Sequence, residues 1–249
     1  MIGYKSASVC WASKREKSIV SITSVLAKRF SNYDNQQSIG SKLRTKRIAP
    51  LLEMIEDAFN THGEVSVIDI GGSEQYWGIV PLQYLTARNV KITVVNLPGS
   101  RLPPDHGPFT FVESDGCDLA RFGDRSFHIA HSNSVLEHVG DWRRKVQFVK
   151  ELERVSQAYF VQTPNYWFPI EPHFMTPFFH WLPTLVRIWL VRHFKLGHFE
   201  RAESVGDAVM LVEHAGLVTN DMFRFLFKDA RILTERFFWL PKSFIALKK

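Results

Sequence analysis

The chain has 249 residues, of which 45% are hydrophobic and 22% are charged. This composition is ordinary for a globular protein with one substantial core. No uninterrupted apolar run is long enough to span a bilayer. The only two cysteines, Cys10 and Cys117, are too few for a disulfide framework or a cysteine-rich metal site. We therefore expect a protein of a reducing, cytoplasmic compartment.

The net charge of +6 is concentrated near the start of the chain. Residues 1–50 contain ten Lys or Arg residues and two acidic ones, a balance of +8, which leaves 21 basic and 23 acidic residues, a balance of −2, for the rest. Such a segment suits a phosphate-bearing substrate, an anionic membrane surface or nucleic acid. The simplest interpretation is a solvated basic face.

Apolar spacing predicts the first elements. Ile19, Ile22, Leu26 and Phe30 recur at helical intervals and predict an amphipathic helix over residues 16–30. A second helical region is predicted over residues 42–60. Within it, Pro50 is expected in the first turn of a separate second half.

Short apolar runs then alternate with helical patterns. The predicted strands are Val65–Ile70, Ile92–Val95, Phe109–Val112, Phe127–His131 and Ala158–Gln162, and the predicted helices are Gln75–Ala87, disturbed by Pro81, and Asp141–Val155, with Asp141 as its N-cap. Ile232–Trp239 and Ser243–Leu247 predict an antiparallel hairpin at a sheet edge, turning at Leu240–Lys242.

This alternation predicts an α/β fold: a doubly wound, mainly parallel seven-stranded sheet with a C-terminal antiparallel hairpin and N-terminal helices. Three regions are expected. Residues 1–62 form a basic helical extension, and residues 63–165 with 228–249 form a Rossmann-like core. Residues 166–227, which are rich in aromatic side chains, form a mostly helical insertion over the open end of the sheet.

The first strand ends in a glycine turn, Asp69-Ile70-Gly71-Gly72, where a ligand can approach the backbone closely. A dinucleotide site would need a third glycine, which is missing, and Glu74 would repel phosphate. A P-loop would need Gly-Lys-Ser/Thr, which is also missing. S-adenosylmethionine carries a sulfonium and an ammonium, and it suits the nearby Asp69 and Glu74 better.

Two later polar positions fit the same ligand. Asn96 ends the second strand of the core, where an acidic residue would bind ribose hydroxyls, and it can donate and accept there without a charge. Asp115-Gly116 follows the next strand, where the carboxylate can accept from an adenine amino group. Both aspartates, Asp69 and Asp115, could instead cap turns, but their order along the chain favours a cofactor site.

Three stretches carry a resemblance to a known family: Val67–Gly72, Glu113–Gly116 and Ser126–Val139. They resemble class I S-adenosylmethionine-dependent methyltransferases of the type that modifies small molecules and glycans. The sequence departs from the family pattern at Gly72-Ser73, at Asn96 in place of an acid, and at His128 in place of Asp. The resemblance implies S-adenosylmethionine as cofactor, contacted by Asp69, Gly71, Gly72, Ser73, Asn96, Leu97, Asp115, Gly116 and Asn133.

Methyl transfer to a hydroxyl needs a group that takes the proton. We expect His173 to be that base and Glu171 to orient it or the acceptor, within a proline-stiffened aromatic loop; His138 is the reserve candidate. Structural roles are open for both histidines. The spacing of Glu171, His173 and His180 matches no strong metal signature, so no metal is predicted.

The expected function is methyl transfer to a small-molecule or saccharide hydroxyl, including lipid-linked acceptors. The aromatic segment 174–194 is interpreted as a substrate lid, an interfacial helix or ordinary core. At most peripheral membrane contact is expected, and nucleic acid is not an expected partner. The alternatives are an RNA methyltransferase that uses the basic N-terminal region and a non-catalytic scaffold that keeps the fold.

Overall fold

The structure, a computed structural model, describes residues 39–249, with side chains from residue 47 onward. The predicted helix over residues 16–30, Cys10 and most of the basic segment lie outside the described residues. None of the helices in the described range is both long and apolar enough to cross a membrane.

The core is a seven-stranded sheet with the strand order β3-β2-β1-β4-β5-β9-β8. Its strands are β1 (Val65–Ile70), β2 (Val90–Asn96), β3 (Phe109–Glu113), β4 (Phe127–Asn133), β5 (Ser156–Pro164), β8 (Arg231–Phe237) and β9 (Leu240–Lys248). The first five strands pair in parallel, and β9 pairs antiparallel with both β5 and β8. The predicted fold class, including the hairpin at the sheet edge, is confirmed.

Within residues 39–249, seven α-helices accompany the sheet: α1 (Ile39–His62), α2 (Glu74–Trp77), α3 (Leu82–Ala87), α4 (Trp142–Val155), α5 (Thr184–His193), α6 (Val205–Glu213) and α7 (Asn220–Leu226). Pro81 separates α2 from α3, as expected of a residue that lacks a backbone donor. Asp141 caps α4 by accepting from the backbone N–H of Arg144. α1 is continuous through Pro50, so the prediction of two halves is wrong.

The turn of the C-terminal hairpin differs from the predicted one. The turn lies at Phe238 and Trp239, and Leu240-Pro241-Lys242 belongs to β9. Phe238 adopts a positive φ of 54°, a conformation that glycine usually occupies, and no glycine stands there. The pairing of β8 with β9 changes register between Glu235 and Arg236, close to this turn, as at a β-bulge.

Two apolar layers cover the sheet, one on each face. Leu51, Ile55 and Trp77 from the N-terminal helices pack with Val67 and Ile245 of the sheet. On the other face, α4 and α7 pack against the sheet through Phe148, Leu152 and Phe223. β1 is the strand from which the chain winds outward in both directions, so the carboxyl ends of β1 and β4 form the crevice where such folds bind ligands.

The segment between β5 and β8 has an apolar cluster of its own. Phe174, Phe179, Val191, Ala208 and Val212 are buried together, which packs α5 against α6. Two short strands, β6 (Ile170–Glu171) and β7 (Thr176–Pro177), precede these helices and pair antiparallel. The segment is therefore a small packed unit, and its assignment as a substrate-capping region stays a prediction.

Replacing Leu152 tests the packing of α4. Leu152 has no exposed surface, so Leu152→Ala should lower the free energy of unfolding by about 2–5 kcal/mol through lost burial and a residual cavity. Urea denaturation measures this change. Leu82→Ala is the control, because Leu82 is 57% exposed and its loss should change stability by only about 0.5 kcal/mol. Equal effects of the two variants would contradict this packing.

Candidate active site

A cavity opens at the carboxyl ends of the central strands. Its walls come from the ends of β1 and β2, from the segments that follow β3 and β4, and from α4. The lining residues are Ile70, Gly71, Val95, Asn96, Leu97, Ser100, Ser114, Asp115, Gly116, Cys117, Val135, His138, Val139, Arg144 and Phe148. This is the position at which open α/β sheets bind ligands.

The structure brings together six of the predicted site residues around this cavity: Gly71, Asn96, Leu97, Asp115, Gly116 and His138. The other predicted cofactor contacts, Asp69, Gly72, Ser73 and Asn133, are not among the lining residues. Ser73 is an exposed residue at the start of α2. The Asn133 side chain accepts a hydrogen bond from Arg47 at 3.0 Å.

Asp69 is fully buried beneath the glycine turn. Its Oδ1 is 2.6 Å from Nδ1 of His131, and its Oδ2 accepts from the indole N–H of Trp77 at 2.8 Å. β1 and β4 pair Asp69 directly with His131, which explains the first contact. Both carboxylate oxygens therefore have protein partners, and Asp69 supports the glycine turn from within the core.

The turn itself requires two glycines. Gly71 has a φ of +71°, and its N–H donates to the carbonyl of Val95 at 2.7 Å. A β-carbon on Gly71 would lie 2.7 Å from Val135. A β-carbon on Gly72 would lie 1.8 Å from Oδ2 of Asp69. The backbone therefore approaches both the cavity wall and the buried carboxylate more closely than any side chain permits.

The two predicted nucleoside contacts already have protein partners. The Asn96 side-chain amide donates to the carbonyl of Gly72 at 3.1 Å. Asp115 accepts from Nη2 of Arg144 at 3.0 and 2.8 Å and from the backbone N–H of Cys117 at 2.9 Å. Burial acts to raise the pKa of Asp115, but the hydrogen bonds from Arg144 and from the Cys117 backbone, with the charge of Arg144, outweigh burial and hold that pKa below its usual value.

Arg144 is a site residue that the sequence analysis missed. It lies in the first turn of α4, three residues after the capping Asp141, and it lines the cavity. Its Nε also donates to the carbonyl of Val139 at 2.8 Å. No motif marks this arginine, because its contact with Asp115 joins residues 29 positions apart.

The predicted catalytic residues form a connected chain behind the cavity. Oε1 of Glu171 is 2.6 Å from Nδ1 of His173, and Nε2 of His173 is 3.0 Å from Nε2 of His138. Only His138 of these three lines the cavity. Oε2 of Glu171 accepts from the backbone N–H groups of His173 and Phe174, which fixes the carboxylate.

The hydrogen-bond partners determine the tautomers of this histidine pair, His138 and His173. Nδ1 of His138 is 3.0 Å from the backbone carbonyl of His214, which can only accept, so Nδ1 carries a proton. Nδ1 of His173 faces the Glu171 carboxylate and is protonated for the same reason. When both rings are neutral, their Nε2 lone pairs point at each other across 3.0 Å. One cation, such as a proton, satisfies both nitrogens.

The pKa values of the two histidines shift in opposite directions, so the two rings hold this proton unequally. Burial and the charge of His173 lower the pKa of His138 to about 4. Burial also disfavours a charge on His173, but the hydrogen bond and charge of Glu171 outweigh burial and raise its pKa above the usual value. The pair therefore takes up one proton, held mainly by His173 and donated to His138.

Glu137, which precedes His138, was not among the predicted catalytic residues, and the structure places it beside the histidine pair. It is 1% exposed, and burial raises its pKa to about 7. Its Oε2 accepts from the Thr163 hydroxyl at 3.0 Å, and its Oε1 has no hydrogen-bond partner among the described residues. An acidic residue directly after a strand and beside His138 was the available signal.

Glu137, His138 and His173 each offer one metal-ligating atom, and these atoms lie within 4.8 Å of one another. This group differs from the set weighed from the sequence, Glu171, His173 and His180. Nε2 of His180 is 2.6 Å from the backbone carbonyl of Tyr166, and His180 does not belong to this group. The prediction that no metal is bound stays a prediction.

Neither a protein family model nor a curated protein sequence matches the chain. Among solved structures, the chain is similar to a SAM-dependent methyltransferase from Archaeoglobus fulgidus, with 13% identity, a TM-score of 0.51, and coverage of 90% of this chain and 98% of that one. This similarity shows a shared fold. It confirms, at the level of the fold, the Rossmann-like methyltransferase architecture that the sequence resemblance implied.

Two further similarities have lower scores. A SAM-dependent methyltransferase from Methanosarcina mazei has 16% identity and a TM-score of 0.45, with 74% of this chain and 91% of that chain covered. Magnesium protoporphyrin IX methyltransferase from Synechocystis PCC 6803, solved with bound SAH, has 12% identity and a TM-score of 0.44, with 91% and 96% covered.

A β-carbon at Gly72 tests the closeness of the turn to Asp69. Gly72→Ala forces the methyl group into the carboxylate and should lower the free energy of unfolding by roughly 3 kcal/mol. Urea denaturation monitored by circular dichroism measures the loss. Gly123→Ala is the matched control, since nothing lies within 4 Å of its β-carbon position. A Gly72→Ala protein as stable as this control would disprove the close approach.

Proposed function

We propose that the protein is an S-adenosylmethionine-dependent methyltransferase acting on a hydroxyl group of a small molecule or sugar. The observation that carries this proposal is the position of His138. It lines the cavity at the ends of the central strands, and it connects that cavity through His173 to Glu171. A ligand site and a proton-accepting chain therefore meet at one residue.

The cavity residues suit the cofactor. Val95, Leu97 and Phe148 supply apolar walls, while Asn96 and Asp115 supply polar groups that can bind a nucleoside. Gly71 and Gly116 leave the backbone open to close approach. Arg144 covers both oxygens of Asp115, so we infer that Arg144 moves or shares that carboxylate when the cofactor binds.

The bound cofactor supplies a methyl group that is already activated by the sulfonium. The chain must then align the acceptor, exclude water and take the hydroxyl proton. We assign the last task to the histidine pair: the acceptor hydroxyl gives its proton to the space between the two Nε2 atoms, which His138 joins to the cavity wall. Glu171 stabilises the resulting charge on His173. His173 therefore keeps the predicted role of base, and His138 shares the proton with it.

Direct cofactor binding tests the first part of this proposal. Isothermal titration of the full chain with S-adenosylmethionine should give saturable binding. Ser100→Trp fills the cavity with a bulky ring and should weaken binding at least about tenfold, which corresponds to about 1.4 kcal/mol. Circular dichroism verifies that the variant is folded. Failure of the wild-type chain to bind at millimolar cofactor would reject an enzymatic role and favour a non-catalytic scaffold.

The pH dependence of methyl transfer tests the histidine pair. Only the unprotonated pair can take a proton, and the pKa of His173 is raised, so kcat should increase with pH through an inflection above about 6.5. Glu171→Gln removes the charge that stabilises the His173 imidazolium, so this inflection should move to lower pH. Methyl transfer from labelled cofactor into pooled glycan, lipid and metabolite acceptors provides the rates.

Substitutions complete this test. His173→Ala should lower kcat by about 10²- to 10⁴-fold and leave cofactor affinity unchanged. The control His62→Ala removes a histidine at the end of α1, far from the cavity, and should keep the wild-type rate. A pH profile that Glu171→Gln does not move contradicts the proton-transfer role. Loss of activity with a chelator, restored by a divalent metal, would instead assign the pair and Glu137 to a metal.

A further inference from the structure

Large apolar side chains crowd one part of the surface. They belong to the loop after β5, to α5 and the segments on either side of it, and to the tip of the β8–β9 hairpin. We call this set the aromatic face, and its members are Trp167, Phe178, Trp181, Leu185, Trp189, Phe194, Phe238 and Trp239. Leu185, Phe238 and Trp239 are each more than three-quarters exposed, which is unusual for side chains of this size.

Ring contacts join five members of the face into two patches. The Trp181 ring lies 6.1 Å from that of Trp167 and 5.1 Å from that of Phe178. At the hairpin, Phe238 contacts both Phe237 and Trp239, at 4.9 and 6.1 Å.

The loop after β5 connects the two patches. Phe168 follows Trp167 directly and packs on Phe237 at 6.4 Å. Asn165 ties the same loop to the hairpin by bonding the carbonyls of Pro241 and Lys242. The two patches are therefore held in fixed positions by the fold.

α5 begins three residues after Trp181 and carries a third group of exposed apolar side chains. Leu185 and Trp189 are four residues apart and project from the same side of the helix, and both are exposed. The opposite side of α5 carries the buried Val191. Trp189 stacks on His193 and contacts Phe194, so the exposed rings have defined positions.

Most of the charges around the face are basic. Residues 166–195 and 236–243 contain five basic residues, Arg187, Arg192, Lys195, Arg236 and Lys242, and a single acidic one, Glu171. Glu171 is buried at the histidine pair and does not contribute to the surface. Glu200, outside these ranges, pairs with Lys195. An exposed aromatic surface within a basic field is complementary to an anionic, amphipathic partner.

We propose that the aromatic face docks the protein on the surface of an anionic lipid bilayer. Trp side chains favour the depth of the lipid headgroups, because the ring is apolar and its N–H is polar. Basic residues add attraction to acidic headgroups. None of the described helices can cross a membrane, so this contact is peripheral. The inference goes beyond the proposed methyl transfer and does not depend on it.

Vesicle flotation with the purified full chain tests this proposal. The chain should float with vesicles that contain about 30 mol% phosphatidylglycerol in phosphatidylcholine, bind pure phosphatidylcholine weakly, and dissociate as salt increases. The double variant Phe238→Ser/Trp239→Ser and the variant Trp189→Ala should each weaken the partition coefficient about tenfold or more.

Phe225→Ala is the matched control, because Phe225 is an exposed aromatic residue on α7, where it contacts Trp142 outside the face. Its partition coefficient should equal that of the wild-type chain, and circular dichroism confirms that every variant folds. Absence of binding to the anionic vesicles would overturn the proposal, as would equal losses in Phe225→Ala and the face variants. A dimer that dissociates only in the face variants would assign the face to a second copy of the chain.

Discussion

The buried carboxylate of Asp69 fixes the geometry on which the cavity depends. It lies at the end of the central strand β1, binds His131 of the neighbouring strand β4, and binds Trp77 of α2. A buried carboxylate is tolerated only when such donors surround it. Its position leaves no room for a side chain at Gly72 and keeps the turn at Gly71 and Gly72 close to the cavity. The interaction therefore joins two strands and a helix to the wall of the proposed cofactor site.

The histidine pair is the second constraint. The Nδ1 proton of each ring is held in a hydrogen bond, by Glu171 for His173 and by a backbone carbonyl for His138. The two unprotonated Nε2 atoms therefore face each other at 3.0 Å. This arrangement makes proton uptake favourable at His173 and unfavourable at His138. A proton acceptor that is connected to a cavity by one ring is what a hydroxyl methyltransferase requires. The same contacts connect Glu171 to the cavity through His138, which is the one member of this chain at the cavity wall.

The strand pattern of the core could be predicted because burial and alternation are local properties. The parallel sheet, the capped α4 and the edge hairpin all follow from such patterns. The turn of the hairpin could not, because Phe238 adopts a left-handed conformation without the glycine that usually signals it. α1 also runs on through Pro50, where the sequence indicated a break.

The site was predictable in part. The glycine turn, Asn96, Asp115 and the three catalytic candidates were found from residue types at strand ends, and most of them line or adjoin the cavity. Asp69 was expected to contact the cofactor. Its contact with His131 depends on the pairing of β1 with β4, which the sequence alone does not reveal. Arg144 was missed because its partner is distant in the sequence.

The central claim is that the cavity beside the histidine pair binds the methyl donor. A crystal structure of the full chain with S-adenosylhomocysteine, the product of methyl transfer, tests this most directly. The account predicts density for the ligand between Gly71, Asn96 and Asp115, with its sulfur directed towards His138. Density at another place on the protein, or crystals that never take up the ligand at saturating concentration, would contradict it.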